Sequence, residues 1–155
     1  MNHPLKRHEA LKPLSKEHHH GLLLCWKIRE GRKKQISDNR IKAYTDHFYK
    51  SQLIPHFKFE EDEIFTILGN DHPLIKRAKR EHILLNNLFN EKSNIIRSLS
   101  EIEKQLEKHI RFEERILFNE IQQEASEERL EQLKAREDTI ETPDPDDWHD
   151  KFWLH

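Results

Sequence analysis

Two ten-residue stretches of the chain are variants of one pattern: residues 56–65 read HFKFEEDEIF and residues 109–118 read HIRFEERILF. Each sets a Glu four residues after a His, as His56 with Glu60 and His109 with Glu113. On a helix that spacing stacks the two side chains on one face, one turn apart. An imidazole nitrogen beside a carboxylate oxygen suits a borderline first-row metal such as iron, manganese or zinc. The chain is thereby expected to be helical, and the question becomes whether other residues complete a site.

The 155 residues suit one domain that buries roughly 70% of the surface its unfolded form exposes. Apolar residues are 34% and charged residues 36% of the chain, a balance that fits slender helices with one buried stripe. Lys plus Arg (27) nearly balance Asp plus Glu (29), so no global field favours nucleic acid or an anionic membrane. Cys25 is the single cysteine and no intrachain disulfide can form. A reducing, cytoplasmic setting is expected, with no signal peptide and no stretch of bilayer-spanning length.

Turn and cap residues divide the chain. Ser15 is expected to cap a first helix to about Arg32, and Ser37 or Asp38 to open a second that runs to Leu68 before Gly69. Pro55 should bend the second helix just ahead of His56. A third helix opens at Asp71-His72-Pro73 and reaches Phe89, a fourth spans about Asn94 to Gln123, and Ser126 caps a shorter one to Glu137. Apolar steps of three and four run through Tyr49, Leu53, Ile64 and Ile67, through Ile75, Ala78, Leu85 and Phe89, and through Ile95, Leu99, Ile102, Leu106 and Ile116. Leu14, Leu22 and Cys25 share a face in the first helix. The expected fold is all-α: an antiparallel up-and-down four-helix bundle over residues 15–124, preceded by an arm (1–14) and followed by a short extra helix and an irregular tail (125–155).

Polar residues are set into all four seams. In an up-and-down arrangement, residues at one height are equidistant from the turn that joins their helices. His18 and the first His-Glu pair mirror about Asp38, that pair and His82 about Asn70, and His82 and the second pair about a point between Ile96 and Arg97, next to the Ser93-Asn94 break. Four His and two Glu thus fall at one level: His18, His56, Glu60, His82, His109 and Glu113. Burying two carboxylates there without a partner costs several kcal/mol per ion, which a metal pair removes. Two metals are the natural capacity of the set, with Glu60 and Glu113 bridging, the His terminal, and coordination positions left open for solvent, oxygen or nitric oxide. Binding is expected to weaken as acid protonates the imidazoles, near pH 6 by the reference value.

With these residues the chain resembles the hemerythrin-like, or HHE cation-binding, domains. The resemblance runs from Leu14-Ser15-Lys16-Glu17-His18 through His56 and Glu60, His72-Pro73-Leu74-Ile75 and Glu81-His82 to His109 and Glu113. It implies a non-haem di-iron centre, two irons with an oxo or hydroxo bridge, inside four helices; manganese or zinc are lesser alternatives. Relatives carry or sense oxygen, respond to nitric oxide or redox state, store iron, or assist iron–sulfur repair. Oxygen carriers bear a fifth His four residues from the third-helix ligand, where this chain has Ala78 and Asn86. The expected function is to bind or sense a small oxidant (oxygen, nitric oxide or peroxide) or to handle iron, with a redox or signalling protein partner for any sensing output. The alternatives are a di-iron oxidase or peroxidase, or a His-rich structural bundle holding adventitious zinc.

Other residues have plainer readings. Phase favours His18 over His19 as the first-helix ligand. Glu61 and Glu114 read as surface groups or supports for the ligands, and Glu81 as a surface carboxylate or a further ligand. Trp26, Phe57, Phe59, Ile110 and Phe112 are expected in the core, as is Cys25. The tail aromatics from Trp148 to Trp153 are expected to fold back over the helices or to meet another subunit.

Overall fold

The computed structural model describes residues 6–154; residues 1–5, the start of the expected arm, and His155 lie outside them. Every regular element among the described residues is helical. Helix α1 spans Lys12–Lys33, α2 Asp38–Phe48, α3 Ile54–Phe59, α4 Pro73–Phe89, α5 Ile95–Phe112, α6 Phe118–Glu124 and α7 Glu127–Glu137. Helix α1 packs along α5, α4 packs along α5, and α2 touches both α1 and α5. No helix among the described residues is long and apolar enough to cross a membrane.

Local chemistry sets most of the boundaries. Ser37, Asn94 and Ser126 each accept a hydrogen bond from a backbone N–H three residues on, as N-caps do. His72 caps α4 through Leu74 N–H, ahead of Pro73. Gly69 ends the second helical run at φ 91°, a left-handed conformation that glycine adopts without steric cost. Helix α1 corrects one expectation. It begins at Lys12, with Pro13 in its first turn, and Ser15 is no cap; its hydroxyl donates instead to Glu114.

The long helical runs are interrupted by three π-turns, Tyr49–Leu53, Glu60–Ile64 and Glu113–Leu117. In each, a backbone N–H reaches back five residues: Ile54 to Tyr49, Phe65 to Glu60 and Phe118 to Glu113. The first absorbs Pro55, which has no N–H to give. The last one carries a consequence that heptad spacing misses. The extra residue in the turn rotates the seam by one position, so Leu117 is fully buried and Ile116, expected in the seam, is 46% exposed. Trp26 is likewise corrected, at 42% exposed, because it follows Cys25 by about 100° around α1 and points off the buried face.

The apolar core forms two clusters. One gathers Leu24, Ile28, Tyr44, Phe48, Leu85, Leu106 and the tail's Phe152 and Trp153; the other gathers Leu14, Ile64, Phe65, Ala78, Leu117 and Phe118. Cys25 lies in the first, where burial pushes its thiol up to about 12 and keeps it an inert core group. A Cβ at Gly31 would stand 2.8 Å from both Ile41 Cδ1 and Phe152 Cε1. Gly31→Ala is therefore expected to destabilise by about 1–3 kcal/mol through overpacking. The check is a lower urea midpoint at unchanged slope.

Candidate metal centre

Between the two apolar clusters lies a polar layer. Each helical run passes from one cluster to the other through it: Leu14 to Leu24 by His18, Leu53 to Ile64 by His56 and Glu60, Ala78 to Leu85 by His82, and Leu106 to Leu117 by His109 and Glu113. All six side chains are buried, Glu60 and Glu113 completely. The structure therefore brings every expected site residue to one place. His18 is inside, and its competitor His19 is exposed.

Four outer carboxylates fix the four rings. His18 Nδ1 donates to Glu114 at 2.7 Å, His56 Nδ1 to Glu17 at 3.2 Å, His82 Nδ1 to Glu61 at 2.9 Å and His109 Nδ1 to Glu81 at 2.7 Å. A neutral imidazole that donates from Nδ1 holds a lone pair on Nε2. All four Nε2 atoms turn inward. His18 Nε2 lies 2.9 Å from Glu113 and 3.2 Å from His56 Nε2. His56 and His82 Nε2 are each 3.2 Å from Glu60, and His109 Nε2 is 3.3 Å from Glu113.

With its rings neutral, the centre of the protein is a cluster of lone pairs facing one another. Both oxygens of Glu60, Oε2 of Glu113, and Nε2 of His82 and His109 are buried with no hydrogen-bond partner. Such atoms are costly unless a proton or a cation joins them. The donor atoms fall into two groups, His18, His56, Glu60, Glu113 and Glu60, His82, His109, Glu113, each within 4.8 Å of one another. The groups share both carboxylates. Carboxylate oxygens and imidazole nitrogens of this number and convergence can hold metal ions.

The arrangement is near two-fold. The hairpin of α1 and α3 and the hairpin of α4 and α5 carry the same signature, a Glu-His dipeptide (17–18 and 81–82) and a His-x-x-x-Glu-Glu run (56–61 and 109–114). In each, the dipeptide Glu supports the His of its own hairpin's run, and the run's second Glu supports the dipeptide His of the other hairpin. Phe65 and Phe118, nine residues after the run His, lie against His82 and His18. Phe57 breaks the symmetry by stacking on His82 at 4.0 Å, where its counterpart is Ile110. Glu17 is the one supporting carboxylate to which sequence reasoning gave no role, although the repeated Glu-His dipeptide is a signal for it. Glu81 is a supporting group, held also by Arg77 at 2.9 Å.

Protonation follows from this geometry. Burial works to lower the His109 pKa, but the charge and hydrogen bond of Glu113, with Glu81 behind it, outweigh burial and raise it to about 10. His18, His56 and His82 are raised for the same reason. Burial works to raise Glu113, yet His109 and His18 hold it well below the usual carboxylate range. In the metal-free protein, stability from the raised imidazoles is complete below about pH 6.5 and fades as pH climbs toward about 10. Stability from Glu113 is complete above about pH 4.5 and fades in acid. Metal-free melting temperatures are expected to peak between those limits, and a peak above pH 8 would contradict the pairing.

Compared with known proteins, the chain matches no family model, no curated protein and no solved structure.

Proposed function

We propose that this chain is a hemerythrin-like protein. In this reading α1, the run from α2 through the turn after α3, α4, and the run from α5 through α6 form an antiparallel up-and-down bundle around a dinuclear non-haem iron centre. His18, His56, Glu60, His82, His109 and Glu113 are the ligands, and the protein binds or senses a small oxidant or handles iron. The observation that carries the reading is the pair of overlapping donor groups that share two fully buried, unpartnered carboxylates. One metal would leave donors of the other group unsatisfied, and protons alone would have to neutralise a layer that an apolar seam would fill at less cost.

When bound, two irons supply a reversible electron change and open positions for a small ligand. The chain's own part is to hold that chemistry in place. Glu17, Glu61, Glu81 and Glu114 keep each Nε2 aimed inward and the rings basic. Phe57, Phe65 and Phe118 cover the rings and keep the layer dry. Because ligation displaces protons from imidazoles whose pKa values are raised, acid weakening is expected to begin well above the pH 6 suggested by the reference value.

The test is metal analysis with an optical spectrum after anaerobic ferrous loading and air oxidation. About two irons per chain with near-ultraviolet absorption is the expected result. A folded chain that takes up none overturns the reading. Sustained turnover of oxygen or peroxide with added reductant would move the function to the oxidase or peroxidase class.

A further inference from the structure

Two spaces in the molecule meet at two side chains. An outer recess of about 510 Å³ lies between the tail and α1, walled by Lys16, His20, Pro143 and Asp144 among others. An inner void of about 10 Å³ touches His18, His56 and His109, and most of its remaining wall is apolar, including Leu53, Leu106 and Ile110. That volume is close to what one water-sized sphere requires. Glu17 and Gln52 line both spaces.

We infer that the outer recess is the access passage to the centre, and that Gln52 is the residue that decides what passes, admitting small neutral molecules such as dioxygen or nitric oxide. The inference rests on the metal reading above and adds to it a route and a sieve. Gln52 is 6% exposed and sits in the π-turn ahead of Pro55. Its Nε2 donates to the Pro143 carbonyl at 2.6 Å, which latches the side chain to the tail. Glu17, across from it, is fixed by His56 Nδ1. The apolar inner wall excludes hydrated ions of either sign and leaves the route to neutral molecules.

The other recesses fit the role less well. A recess of about 90 Å³ near Ile140 and Glu137 also meets the inner void, at Glu17 and His56, but those two side chains hold each other through His56 Nδ1, whereas Gln52 is held by one latch to the tail. The groove of about 580 Å³ beside it shares no side chain with the inner void, and its charges are spent on one another, Lys58 with Asp62 and Arg136 with Glu63.

Dioxygen as a paramagnetic probe in methyl NMR of the metal-free protein tests the passage without relying on iron. Gln52→Ala joins the two spaces and is expected to increase oxygen-induced relaxation at the Leu53, Leu106 and Ile110 methyls. Gln52→Met keeps the bulk while removing the latch, and is expected to give a smaller increase. In ferrous-loaded protein the same variants should speed nitric oxide association by roughly three- to tenfold, the rate equivalent of one neutral hydrogen bond. Ile140→Trp, which narrows the other recess, should leave both readouts unchanged. Wild-type relaxation and rate in both Gln52 variants, or slowing by Ile140→Trp, overturns the passage. Failure of the wild type to load iron sinks the metal reading instead and leaves the passage to be judged by the NMR readout.

Discussion

Replacing Glu60 and Glu113 together by glutamine is expected to take iron from about two per chain to near zero while the helical circular dichroism stays intact. Both side chains are fully buried and both belong to each donor group. Without their charges, two dications in a dry layer would face only neutral donors, and the Coulomb cost of placing them there would have no offset. The fold should survive, because the apolar clusters on either side make no use of either carboxylate. A supporting carboxylate should matter less. Glu81→Gln keeps a hydrogen-bond acceptor for His109 but loses the charge, and is expected to weaken metal binding by roughly 10- to 100-fold. Iron analysis with a chelator competition separates the two results. Full loading of the double variant would show that the His residues alone hold the metal, against the shared-carboxylate reading.

Deletion from Trp148 onward is expected to bring the chain close to unfolding at ordinary temperature. Phe152 and Trp153 are 3% and 7% exposed and belong to the larger apolar cluster, with Trp153 centred 4.7 Å from the Tyr44 ring. Polar contacts hold the same segment. The Arg40 fork grips Asp150 at 2.7 and 2.9 Å, and Lys34 donates to the Trp153 carbonyl at 2.8 Å. Removing two buried aromatics costs roughly 6 kcal/mol or more at the usual 3–5 kcal/mol each, a large part of a typical stability of about 5–15 kcal/mol. Phe152→Ala is the milder version, with a melting temperature lower by on the order of 10 °C. An unchanged melt in the deletion variant would mean that the tail merely rests on the surface.

The sequence resolved helices better than it resolved their faces. The cap residues Ser37, Asn94 and Ser126, with Pro73 and Gly69, marked helix ends to within a residue or so, since capping and backbone strain act over three or four residues. The mirror spacing about the turns brought out all six central residues, because helix rise per residue is constant and height in a hairpin can be counted. Ile116 and Trp26 were misjudged. A π-turn changes angle with little change in height, so spacing still located Glu113 while the residue filling the next core position changed from Ile116 to Leu117.

The information legible along the chain is therefore one-dimensional: an all-helical chain, its turns, and one level at which four His and two Glu interrupt the apolar seams. Which carboxylate serves which ring depends on how the helices pack together. Glu17 reaches His56, Glu61 reaches His82, Glu81 reaches His109 and Glu114 reaches His18, each from another helical segment. The latch from Gln52 to Pro143 and the burial of Phe152 and Trp153 join parts of the chain about a hundred residues apart. Periodicity fixes where a side chain stands along its own helix. Which neighbour it meets depends on how the helices are rotated and spaced against one another, and that is settled by packing the two apolar clusters around a layer that cannot itself pack without a proton or a cation.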